Sequence, residues 1–100
     1  MISNKVTHLI TTIERGGAEK QLLILAGKQV ESGLKVEVFF LKGKSDLKNE
    51  FESLGVKVNN LLVGESLLMQ IYKLSKYLRK NPSPVHAHLP QSELLAAIVV

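Results

Sequence analysis

Two short stretches of this sequence carry groups suited to chemistry. The first is Glu14-Arg15-Gly16-Gly17-Ala18-Glu19, lying between an apolar run, Val6-Thr7-His8-Leu9-Ile10, and a strongly helical one from Lys20 to Val30. Adjacent glycines can adopt backbone angles closed to other residues and expose their amides, and the helix behind them points its positive end at the turn. A strand, a glycine turn and a helix N-terminus in that order can hold an anion, a phosphate above all. The alternative is that Gly16-Gly17 is a tight connection and nothing more, and a glycine pair alone does not separate the two.

The second stretch is His86-Ala87-His88. On a strand both imidazoles face the same side, and either could donate to a phosphate or a sugar hydroxyl when suitably protonated. His88 is expected on the rim of a site. His86, expected to lie deeper, can equally be a core histidine bonded to a backbone carbonyl. His8 sits inside the first apolar run and reads as structural. A His-x-His pair can also ligate zinc, but no third ligand is placed nearby in the sequence, so no metal is expected. Glu19 either lines the site or simply favours the first turn of its helix. A paired-carboxylate mechanism has little to work with, and no residue is assigned a catalytic role.

These groups need a scaffold, and periodicity supplies one by alternating short β-rich runs with longer helical ones. Strands are expected over about 5–11, 36–41, 56–58 and 85–89, and helices over about 18–32, 47–54 and 67–80, with a last helix opened by Pro90 at its first turn. Gly33 and Gly55 stop helices, the turn at Gly43-Lys44-Ser45-Asp46 supplies an N-cap, and Ser66 caps the third helix. Leu67, Ile71, Leu74 and Leu78 share one face of that helix. The order β-α-β-α-β-α-β-α predicts an α/β fold, a Rossmann-like parallel sheet of about four strands in the order 3-2-1-4, flanked by helices. In such a sheet ligands bind outside the carboxyl ends of the strands where the order reverses, here between strands one and four. The glycine turn and the histidine pair would meet there, although about 70 residues separate them in sequence.

Composition removes several functions. With 100 residues the chain suffices for one small domain, and 45% hydrophobic with 22% charged residues is ordinary for a globular one. There are no cysteines, hence no disulfide framework, thiolate metal site or thiol nucleophile. No stretch is long and apolar enough to span a bilayer and no secretory signal pattern opens the chain, so a cytoplasmic location is expected. The dinucleotide fingerprint Gly-x-Gly-x-x-Gly is missing, and Gly43-Lys44-Ser45 lacks the upstream glycine of a Walker loop. A net charge of +4 is a small footprint for nucleic acid, and no nucleic-acid module is recognisable. Basic charge gathers at Lys73, Lys76, Arg79 and Lys80, either as a solvated face or as a patch drawn to an anionic membrane surface. The run Leu94-Leu95-Ala96-Ala97-Ile98-Val99-Val100 lacks a cap or a charged last turn, as expected of a piece of a longer protein.

The series Glu14 to Leu23, then Leu25-Ala26, Gly33, Val36-Glu37-Val38, Leu54-Gly55-Val56-Lys57-Val58 and Val85-His86-Ala87-His88-Leu89 resembles the start of family 4 glycosyltransferases, retaining enzymes of the GT-B fold. The resemblance covers nearly the whole chain. It implies a partial N-terminal, acceptor-side Rossmann-like domain over residues 1–100, forming the N-terminal half of a GT-B fold. The enzyme would move a sugar from a nucleotide-sugar donor to a saccharide or lipid-linked acceptor in cell-surface polysaccharide or glycolipid synthesis. It further implies that the loop at Gly16-Gly17 lies against donor phosphates and acceptor, that His88 lines the acceptor side, and that the protein is peripheral on the inner membrane face. The donor-binding domain would lie outside this chain, so the segment alone is expected to be inactive, and no cofactor beyond the donor substrate is implied. A stand-alone α/β binding or regulatory domain without catalysis is the competing expectation.

Overall fold

Val36-Glu37-Val38-Phe39-Phe40 is buried over its whole length, the signature of a strand covered on both faces as parallel strands must be. The computed structural model describes residues 4–13, 16–43 and 46–88. Within them the order is β1 (Lys5–Ile10), α1 (Gly17–Glu31), β2 (Lys35–Phe40), α2 (Lys48–Ser53), β3 (Lys57–Asn59), α3 (Leu67–Lys80) and β4 (Val85–His88). All pairings are parallel and the sheet order is β3-β2-β1-β4, as the sequence predicts.

The first two crossovers step one way along the sheet, and the third returns past β2 and β1. A constant right hand then requires α1 and α2 on one face and α3 on the other. The core divides accordingly. Ile10, Val38 and Phe40 pack with Leu22 and Ala26 of α1 and Phe51 of α2. On the opposite face Leu9, Phe39, Leu41 and Leu62 meet Leu74 and Tyr77 of α3. Burying an aromatic or aliphatic side chain of this size contributes about 1.5–3 kcal/mol.

Local signals place the ends. Helix α1 closes with Gly33 at φ 97°, where the Gly33 amide donates to Val30 and the Leu34 amide to Gln29, the paired bonds of a left-handed glycine stop. Ser66 Oγ accepts from the Met69 amide at 3.3 Å and starts α3. Two expectations are corrected. The N-cap of α2 falls on Leu47, with no side-chain capping bond, because Leu47 is drawn into the core and its amide donates to Ile13. The inward face of α3 runs through Gln70, Leu74 and Tyr77, while Leu67 is 38% exposed. Gln70 is accommodated inside because its amide donates to the carbonyls of Leu41 and Leu62 at 3.2 and 2.9 Å, so its own polar group is not buried without a partner. Leu89 and the helix expected from Pro90 lie outside the described residues. Among the described residues no helix is long and apolar enough to cross a membrane.

Candidate functional site

At the carboxyl ends of β1 and β4, where the strand order reverses, a cleft of about 470 Å³ opens between the strand ends and the start of α1. Ile10, Thr11, Thr12, Ala18, Glu19, Ala87 and His88 line it. The fold thus brings His88 and Glu19 to one cleft, across 69 positions of sequence, at the place where open α/β sheets bind ligands.

The glycines act differently from the expectation. Neither Gly16 nor Gly17 has a positive φ: Gly16 is extended at φ −124° and ψ 174°, and Gly17 is the first residue of α1. Any residue adopts such angles, so conformational freedom does not explain the pair. Space does at Gly16, where an added Cβ would stand 2.7 Å from Glu19 Oε1. At Gly17 it would meet nothing within 4 Å. Glu19 occupies the third helical position, its carboxylate folded against Gly16, and Thr12 Oγ1 donates to Glu19 Oε2 at 2.7 Å. A negative charge already sits in the first turn of α1, where the helix dipole favours it. An incoming anion would meet that charge, whereas a hydroxyl would find an acceptor.

The histidines also differ from the expectation. His86 is the exposed one of the pair and does not line the cleft, while His88 is half-buried. The order of depth is reversed, and among the described strands β4 borders the sheet through β1 alone, which leaves its residues less covered than those of β1. His8 is fully buried and is the missing third imidazole: it stands opposite His86 in the β1–β4 register, and its Nδ1 lies 3.0 Å from His88 Nε2. Its other nitrogen, Nε2, donates to Gln29 Oε1 at 2.7 Å. The ring centroids lie 5.5 Å apart for His8 and His86, 5.1 Å for His8 and His88, and 4.1 Å for His86 and His88. Burial, helped by repulsion from His86 and His8, pushes His88 down to about 4. His8 is lowered by burial too, against the opposing pull of the Gln29 bond. Both rings are therefore neutral near pH 7.

On α3 the basic residues do not form one uniform patch. Lys73 Nζ pairs with Glu65 Oε1 at 3.1 Å, leaving Lys76, Arg79 and Lys80 on the exposed surface beside Tyr72 and Leu68.

Sequence reasoning missed Glu37. Its side chain is buried in β2, where the Tyr77 hydroxyl donates to both carboxylate oxygens at 2.7 and 3.0 Å and Asn59 Nδ2 donates at 3.1 Å. Lys5 and Lys57 add ion pairs at 3.3 and 3.6 Å. Burial would raise the Glu37 pKa, but the bonds from Tyr77, Asn59 and Lys5 outweigh it and hold the group below the usual carboxylate range. Burial and then the Glu37 charge push Tyr77 up to about 12. A lone acid inside Val36-Glu37-Val38-Phe39-Phe40 was the available signal. The network lies near the amino ends of the strands, away from the cleft, and its partners are those a buried charge requires.

No family model matches this chain, and no curated protein or solved structure matches it either. Its class is therefore defined by topology and site: an α/β protein with a Rossmann-like parallel sheet and a cleft at the reversal of strand order.

Proposed function

We propose that this chain is the acceptor-side segment of a retaining glycosyltransferase, an enzyme that moves a sugar from a nucleotide-sugar donor to a saccharide or lipid-linked acceptor. The observation that carries the reading is the chemistry of the cleft. Glu19 and Thr12 present oxygen atoms, His88 is a neutral imidazole whose Nε2 proton is given to His8 and whose other nitrogen is left to accept, and all three stand at the ligand-binding end of the sheet. That set suits a polyhydroxylated ligand. The ordered resemblance of the glycine turn, strands and His-x-His segment to family 4 glycosyltransferases points the same way.

In this reading Glu19, held by Thr12, accepts from an acceptor hydroxyl and His88 fixes a second one, so the contribution of the segment is positioning. Gly17 does not line the cleft itself but adjoins it through Ala18, and the open space at Gly17 would leave room beside the helix start for donor and acceptor. A nucleotide-binding domain would come from sequence outside these residues. Exposed Lys76, Arg79 and Lys80 would hold the enzyme near an anionic membrane bearing a lipid-linked acceptor.

The test is a transfer assay on the full-length protein with nucleotide-sugar donors and saccharide or glycolipid acceptors. Sugar transfer is expected, and His88→Ala should lower kcat/KM by roughly tenfold or more, equivalent to about 1.4 kcal/mol of lost transition-state binding. A full-length protein that transfers no sugar to any acceptor class yet binds saccharide in the cleft would be a binding domain instead.

A further inference from the structure

The chain contains 3 histidines, and the fold gathers all of them at the seam between β1 and β4. We propose that His8, His86 and His88 form a binding site for a divalent transition-metal ion, zinc foremost. The proposal is independent of the sugar-transfer reading.

Strand register creates the cluster. His8 faces His86 directly across the parallel pair, and His88 follows two residues later on the same side. One nitrogen from each ring lies within 4.8 Å of the others. One pair, His8 Nδ1 and His88 Nε2, is 3.0 Å apart. Two nitrogens bound to a tetrahedral zinc at about 2.0–2.1 Å stand about 3.3 Å apart, so this pair needs little movement. His86 is exposed, and rotation of its side chain can close the remaining distance.

Gln29 supplies the outer shell such a site requires. Its Oε1 can only accept, so His8 Nε2 carries the proton and His8 Nδ1 presents a lone pair toward His88. Histidine ligands of metals are held in this way, by a bond from the nitrogen that does not bind the ion. The donor set also selects the ion: imidazoles without a carboxylate suit zinc, copper or nickel and not magnesium or calcium. Three imidazoles leave at least one coordination position for water or for an oxygen of a molecule entering the cleft that His88 lines.

A purely structural cluster would look different in one respect. The His8 bonds to Gln29 and His88 satisfy the buried ring without His86. A structural role therefore gives His86 nothing to do, whereas a metal site makes it a ligand.

The experiment is calorimetric titration of the untagged, chelator-treated full-length protein with zinc chloride alone, repeated with cobalt(II) to read coordination from its visible spectrum. Binding of one equivalent is expected, with His86→Ala weakening it by more than about a hundredfold and Gln29→Leu by about 10- to 100-fold, as outer-shell changes do. Circular dichroism checks that the exposed-site variant His86→Ala keeps the fold. Folded wild-type protein that binds no zinc, or a His86→Ala variant that binds it as tightly as wild type, would overturn the proposal. Neither measurement involves a sugar substrate, so its failure leaves the transferase reading standing.

Discussion

Thr12 and Glu19 are joined across the mouth of the cleft, the threonine hydroxyl donating to the carboxylate at 2.7 Å. The bond ties the end of β1 to the first turn of α1 and aims a charged acceptor along the cleft wall. Gly16 is part of the arrangement, because the carboxylate occupies the space a side chain would need.

Glu19→Gln should therefore keep the fold and raise KM for the acceptor more than it lowers kcat, since a weaker acceptor of hydrogen bonds remains in place. Gly16→Ala should produce a similar change by pushing the carboxylate aside. Steady-state kinetics with varied acceptor checks both, and an unchanged acceptor KM in both variants would remove Glu19 from the site.

Gly17 and Gly33 should respond oppositely to a methyl group. Gly17→Ala adds a better helix former in open space and leaves the melting temperature unchanged or higher. Gly33→Ala forces a side chain into the left-handed region at φ 97° and should cost about 1–2 kcal/mol. Gly17→Val should meanwhile reduce transfer by filling the space beside the helix start. Thermal melts of the pair and one activity measurement decide the matter.

Tyr77→Phe should destabilise the protein by about 1.5–3 kcal/mol, because a hydrogen bond to the buried Glu37 carboxylate is lost. The same network sets pH dependence at both extremes. Folding lowers the Glu37 pKa, so its contribution is present above the unfolded carboxylate value and is lost as pH falls through the lower folded value. Folding raises the Tyr77 pKa to about 12, so its contribution is present below the unfolded tyrosine value near 10 and is lost as pH rises toward 12. Urea unfolding across pH should show both losses in the wild type and a smaller alkaline loss in Tyr77→Phe.

On α3 Lys73 and the exposed cations Lys76, Arg79 and Lys80 should separate. Replacing Lys76, Arg79 and Lys80 with glutamate should abolish low-salt binding to anionic vesicles, each near-surface charge being worth about 1 kcal/mol. Lys73→Gln should change it little, since Glu65 already compensates that charge. Vesicle sedimentation that is insensitive to the triple change would return this face to ordinary solvation.

Much of the frame was legible because it follows from short-range rules. The alternation of β-rich and helical runs, the glycine stop at Gly33 and the Ser66 cap all act within a few residues, and the single hand of parallel crossovers then yields the order 3-2-1-4. The meeting of Glu19 and His88 at one cleft followed from that order.

Side-chain partners separated by long stretches of chain were decided only by the tertiary structure. His8 and His86 are 78 positions apart, and nothing in either segment states that their strands pair in the register that sets them opposite each other. Glu37 reads as an anomaly in an apolar strand until α3 packs Tyr77 against it from 40 positions away. The glycine pair illustrates the same limit. Its sequence suggests unusual backbone angles, but the backbone at Gly16 is ordinary and what lies against it is a carboxylate three residues on, folded back through space. Local sequence determines which elements form and in what order, because propensity and chirality act locally. Packing and register determine which side chains share a site, because those depend on where distant segments come to rest.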